Sequence, residues 1–183
     1  MTRPMRKDAA QRRDALRKAA ATEFAERGIE VPLDAIADRA GVGRATLYRN
    51  FADRDELVLA VFAGLVDELG ERMRQKTAPD AFFDFVHELS ELLLRNVALS
   101  AALRHAQSRL ALVKLRQKII AAGTSALSLS QAAGTVRADL EPGDIRILAA
   151  LLGAGLETAD PSEREAISRR TRALVLDGLR ARS

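Results

Sequence analysis

The chain carries PLDAIADRAGVGRATLYRNF at residues 32–51, two short amphipathic segments joined by a glycine-flanked turn. LDAIADRA and RATLYRNF are each long enough for about two helical turns. Gly41 and Gly43 bracket Val42, and Gly41 supplies the backbone freedom that a tight turn needs. Ala37 is small where the second helix crosses the first. Ile36, Ala40, Val42 and Leu47 make the small core that sets the crossing angle. Arg44, Ala45, Thr46, Tyr48 and Arg49 then face outward. This is the pattern of a helix-turn-helix, whose second helix fits the major groove and reads base edges from its N-terminal end. Arg44 is the expected base reader, because a guanidinium bonds a guanine edge in bidentate fashion. The hydroxyls of Thr46 and Tyr48 suit phosphates. Arg54, beside the start of the next helix, adds a cation where backbone N–H groups already favour phosphate. Two blander readings compete: a small helical bundle with no DNA role, and Tyr48 as a core residue with a wet tip.

Charge points the same way. Residues 1–54 hold 12 Lys/Arg against 8 Asp/Glu, whereas residues 55–183 hold 17 of each, so the whole +4 excess lies in the first third. A basic end on a neutral body is the footprint of a polyanion binder; a solvated N-terminus is the alternative. The neutral part is itself patterned. Residues 55–91 carry nine acidic and three basic groups, and residues 92–138 carry seven basic and no acidic ones. The basic block suits a solvated face, an anionic ligand, or proximity to DNA.

Outward from the motif, apolar spacing predicts helices throughout. One covers 8–27, with Leu16, Ala19, Ala20 and Phe24 on its stripe and Gly28 as the stop. Asp53 and Glu56 have capping-box spacing, and a long helix follows to about Lys76 with Leu57, Val58, Val61, Phe62, Leu65, Val66, Leu69 and Met73 on one face. Asp80 is expected to cap a helix over 80–96. A helical pair separated near Ser100 to Ser108 comes next, then a long helix over 110–129. The turn-rich AAGTVRADLEPGD precedes an apolar helix. Asp160-Pro161-Ser162-Glu163 reads as a helix start with proline at the first helical position. About nine helices and no convincing strand make the expected fold all-α.

FAERGIEVPLDAIADRAGVGRATLYRNFADRDELVLAVF resembles the DNA-binding domain of TetR-type transcriptional regulators over roughly residues 10–69. The resemblance rests on the Phe24–Gly28 helix end, IADRAGV, TLYRNF and the leucine-rich helix behind them. It implies a dimer that binds a near-palindromic operator, most often as a repressor, and lets go when a small molecule fills a second helical domain over residues 80–183. An activator or architectural DNA binder without a small ligand is the alternative. Two departures stand out. Many members open the first motif helix with Ser or Thr, whose hydroxyl contacts phosphate; Pro32 and Leu33 cannot. Many have Lys where this chain has Arg54, which keeps the charge.

The C-terminal part shows no sharp chemical motif. Phe82, Phe85, Val86, Leu89, Leu93, Leu110, Val113 and Ile120 are candidates for an apolar effector pocket between bundle helices, or simply for a core. Residues 147–156 carry no charge, and a helix apolar on every side must be buried. Paired with the 161–180 helix and with both copies across a two-fold axis, it makes an expected four-helix homodimer interface including Leu148, Leu152, Gly155 and Leu174; an internal core helix is the alternative.

Composition narrows the remaining classes. With 48% hydrophobic residues in 183, the chain has enough for a core, and 4% aromatics with no Trp favours helices built on Leu, Ala, Val and Ile. No Cys removes thiolate metal sites and Cys nucleophiles, and two His leave little general-base chemistry. His87 and Glu91 are spaced i, i+4, but two ligands on one helix are weak evidence for a metal. No enzyme motif, metal or cofactor is expected. No apolar run approaches the ~20 residues of a membrane span, and the basic start lacks the apolar stretch of a secretory signal, so a cytoplasmic protein is expected.

Overall fold

The computed structural model describes residues 3–105, 109–157 and 159–181. Among them are nine helices: α1 (Arg3–Arg27), α2 (Leu33–Arg39), α3 (Arg44–Asn50), α4 (Arg54–Arg74), α5 (Ala81–Arg95), α6 (Val97–His105), α7 (Arg109–Ala132), α8 (Asp144–Gly153) and α9 (Arg164–Leu179). The chain is all-α, as its apolar spacing implies. One antiparallel bridge, Val136 with Arg180, ties the α7–α8 link to the end of α9.

α1, α2 and α3 form a small three-helix unit. Leu16, Ala20, Ile36, Leu47 and Phe51 are buried in its centre. Gly41 has φ +66, a conformation that costs an L side chain energy, and Val42 N–H closes the turn on the Ala37 carbonyl at 3.0 Å. α4 continues from this unit into the rest of the molecule. Its N-cap is the one expected: Asp53 accepts from Glu56 N–H at 2.8 Å. The Glu56 carboxylate reaches back to Ala52 N–H, also at 2.8 Å.

Behind it, α4 packs chiefly along α7, and α5 lies against α7, α8 and α9. Small residues set these distances. A Cβ at Gly123 would stand 2.6 Å from the Phe85 ring, so α5 and α7 close only because that position is glycine. Phe82 and Phe85 stack with centroids 5.8 Å apart. One hydrophobic cluster runs unbroken from Leu16 to Leu179, so the N-terminal unit and the C-terminal helices share a core through α4.

Several local expectations are corrected. Asp80 makes no side-chain cap on α5; the free Phe82 N–H donates to Ser130 Oγ instead, and that hydroxyl donates to the Pro79 carbonyl. Asn96 ends α5 where the helix over 80–96 is expected to end, but Ser100, expected at a break, lies inside α6; the far end of that expected break, 106–108, lies outside the described residues. Pro161 is not at the first turn of α9. It sits in a preceding turn in which Glu163 and Arg164 N–H bond the Asp160 carbonyl. α8 is not buried all round: Leu148 and Leu152 face the core while Ile147 and Leu151 are 50% and 49% exposed.

Candidate nucleic-acid interface

α3 lies at the surface with its charged side outward. Leu47 is fully buried and fixes the helix to α2, which leaves Arg44, Ala45, Tyr48 and Arg49 exposed. Tyr48 is 42% exposed, so it is not a core residue. Arg44 reaches Asp34 at the start of α2 (3.1 Å), and its guanidinium lies 5.6 Å from the Tyr48 ring centre. The Tyr48 side chain first, and the Asp34 charge second, hold the Arg44 pKa above the ordinary arginine value. The pair with Asp34 is solvent-exposed on both sides and therefore weak. Thr46 is half-buried, and its hydroxyl accepts from Arg49 at 2.9 Å.

Arg54 is tied to the backbone. Its guanidinium donates to the Ile29 carbonyl and to the Val31 carbonyl (2.8 Å). Those carbonyls belong to the α1–α2 link, which has no helical partners for them. A cation there braces the link through Nη1, and the Arg54 side chain is half-buried.

Two braces escaped sequence reasoning. Glu23 on α1 is 4% exposed and accepts from Arg39 on α2 (2.6 Å) and from Arg27 (3.1 Å), while Arg39 also reaches Glu26 (2.5 Å). Glu23 and then Glu26 raise the Arg39 pKa. Arg13 on α1 donates to the Asn50 carbonyl and to Glu56 (3.0 Å). Its partners lie 37 and 43 residues away, beyond any local pattern.

Residues 16–61 match the family described as bacterial regulatory proteins of the tetR family, and residues 77–181 match the family described as the SbtR-like transcriptional regulator C-terminal domain. The chain belongs to the TetR family of transcriptional regulators. It is a DNA-binding regulator of the helix-turn-helix type. Two solved TetR regulators are similar along nearly their whole length. One is SCO0520 of Streptomyces coelicolor, with 29% identity and TM-score 0.66, covering 93% of this chain and 99% of that one. The other is from Mycobacterium vanbaalenii, with 30% identity and TM-score 0.62, covering 97% and 100%. The transcriptional activator FasR of Mycolicibacterium smegmatis is 38% identical over 94 residues, and that match spans 44% of this chain and 43% of FasR. These relatives are transcription regulators and not enzymes.

The effector and dimer candidates of this TetR-family chain fall in several settings. Phe82, Phe85, Val86, Leu89 and Leu93 are buried core. Ile120 is half-buried, whereas Leu110 and Val113 are 67% and 44% exposed, so the eight do not line one wall. Of the dimer candidates, Leu174 is 56% exposed, while Leu148 and Leu152 are used inside the protomer. Gly155 forms a left-handed turn after α8, with φ +78. A groove of about 580 Å³ runs between α8 and α9, with Ile147, Leu151, Leu174 and Val175 among its walls. The basic block of α7 is partly answered by acidic α4, since Lys118 bonds both Asp67 oxygens at 2.5 and 2.7 Å. His87 is exposed and Glu91 accepts from Arg172 at 2.7 Å. Among the described residues no group of three metal-ligating side chains forms, and no helix is long and apolar enough to cross a membrane.

Proposed function

We propose that this regulator is a cytoplasmic, ligand-responsive homodimer that binds a near-palindromic double-stranded operator and represses transcription until a small molecule releases it. The observation that carries the reading is α3: a short helix pinned by Leu47, with Arg44, Ala45, Tyr48 and Arg49 exposed together. Arg44 reads a base edge, Tyr48 and Arg49 hold the backbone, and Thr46 orients Arg49. Residues 10–69 form the DNA-binding part and residues 80–183 the effector and dimer part, a division supported by the two family matches. Two α3 helices must be about one DNA turn apart to engage both half-sites, so an effector that shifts α4 changes affinity through that spacing.

The apolar stripe Ile147, Leu151 and Leu174 supports the dimer, because a partner's copy would cover it. The FasR match favours a second reading of the sign, an activator. Selecting bound fragments from random duplex DNA, then placing the selected operator before a reporter, tests both. Selection of a palindrome supports the dimer, and lower expression with the protein present supports repression. Higher expression establishes activation, and failure to select any sequence overturns the reading.

A further inference from the structure

Arg13, on α1, reaches both the C-terminal end of α3 and the first turn of α4. From α1 its Nη1 donates to the Asn50 carbonyl, one of the unpaired carbonyls at the C-terminal end of α3. Its Nη2 donates to Glu56 Oε1 at 3.0 Å, on the first turn of α4. The face of the guanidinium lies 4.1 Å from the ring centre of Phe51, which is fully buried between the two helices. Glu56 is committed on both oxygens, since Oε2 accepts from Ala52 N–H. Only a planar, forked cation serves two acceptors in different directions while stacking on a ring; an ammonium does not. Arg13 also borders the groove between α1 and α4 and the groove that opens toward Lys114 and Leu115 on α7.

We propose that Arg13 is the positioning residue that locks the recognition helix to α4, so that α3 follows α4 as one body. This rests on reading α3 as the recognition helix. Arg13 contributes orientation rather than a DNA contact. When α4 shifts, Glu56 moves with it, and Arg13 with Phe51 carries the end of α3 along.

The test compares wild type with Arg13→Ala, Arg13→Lys and Glu56→Gln. The measurements are thermal unfolding, affinity for a wild-type-selected operator, affinity for random duplex across salt concentrations, and the half-site spacings each variant selects. Arg13→Ala is expected to lose operator affinity by roughly tenfold to a hundredfold while keeping the random-DNA salt slope. The selected spacings broaden, a change that mere loss of stability does not produce. Arg13→Lys restores the charge but not the spacing preference. Glu56→Gln, which keeps an acceptor for Ala52 N–H, moves the spacing in the same direction, and its effect is not additive with Arg13→Ala. Should Arg13→Ala fail to fold, Arg13→Lys and Glu56→Gln carry the test. An unchanged spacing preference in the folded variants overturns the proposal. So does an equal loss on random DNA with a salt slope lower by about one, which makes Arg13 a phosphate contact. If wild type selects no operator, the reading of α3 fails instead.

Discussion

Arg44 and Arg54 stand ten positions apart and meet different partners. Among the described residues Arg44 meets an exposed carboxylate and a tyrosine face, which leaves most of its surface open to solvent. Arg44→Ala is expected to cost roughly 1–3 kcal/mol at one operator position and to relax preference there, read by competition among operators with single base changes. A uniform loss across all sequences would make Arg44 a phosphate clamp and leave Thr46 or Arg49 as the base reader. Arg54 donates through Nη1 to two loop carbonyls. Arg54→Met should destabilise the protein by about 1–3 kcal/mol in thermal or urea unfolding, because those carbonyls lose a charged donor. The salt slope of the remaining folded protein should stay as it was; a slope lower by about one would put the guanidinium on a phosphate after all.

At the scale of elements, the helices are held together by what small residues permit and by a few polar ties. Gly123→Ala drives a methyl into the Phe85 ring, and Phe85 is buried against α7 with no free direction. A loss of about 1–3 kcal/mol in unfolding is expected. Stability unchanged by the methyl would mean that the α5–α7 contact is looser than drawn. α5 is also tied to α9 by the buried Ser90–Ser168 hydroxyl pair and by Glu91 with Arg172. The hydrogen bond from Arg172 is the main reason the Glu91 pKa lies below its ordinary 4.5. A depressed carboxylate pKa stabilises the fold above the unfolded value, and that contribution is lost as pH falls through the folded one. The difference in melting temperature between wild type and Glu91→Gln should therefore be steady above about pH 4.5 and shrink below it. A gap that widens on acidification would contradict the tie.

For the whole molecule, the question is what covers Ile147, Leu151 and Leu174. Half-exposed on adjacent helices, they leave an apolar strip beside a groove with Val175 in its wall. Leu151→Glu is expected to give monomers in sedimentation and to weaken operator binding, since both half-sites no longer engage together. A variant dimer of unchanged affinity would remove this face from the interface. Leu152→Glu is the wrong probe, because Leu152 is 1% exposed in its own protomer and a charge there breaks the fold.

The helix-turn-helix could be read from residues 32–51 because everything that specifies it is local. The glycine turn, the small Ala37 and the apolar positions Ile36 and Leu47 all fall between residues 36 and 47. The Asp53–Glu56 cap is equally short-ranged, and it was legible for the same reason. Residues 147–156 were legible as an apolar helix but not in their facing, since a run without polar residues carries no marker of which side meets the core. Only packing against α5, α7 and α9 turned Leu148 and Leu152 inward and left Ile147 and Leu151 out. The fates of Arg13, Glu23 and Arg54 were decided by tertiary structure alone. A guanidinium suits phosphate, carboxylate and carbonyl alike, and these long-range partners come from 16 to 43 residues away.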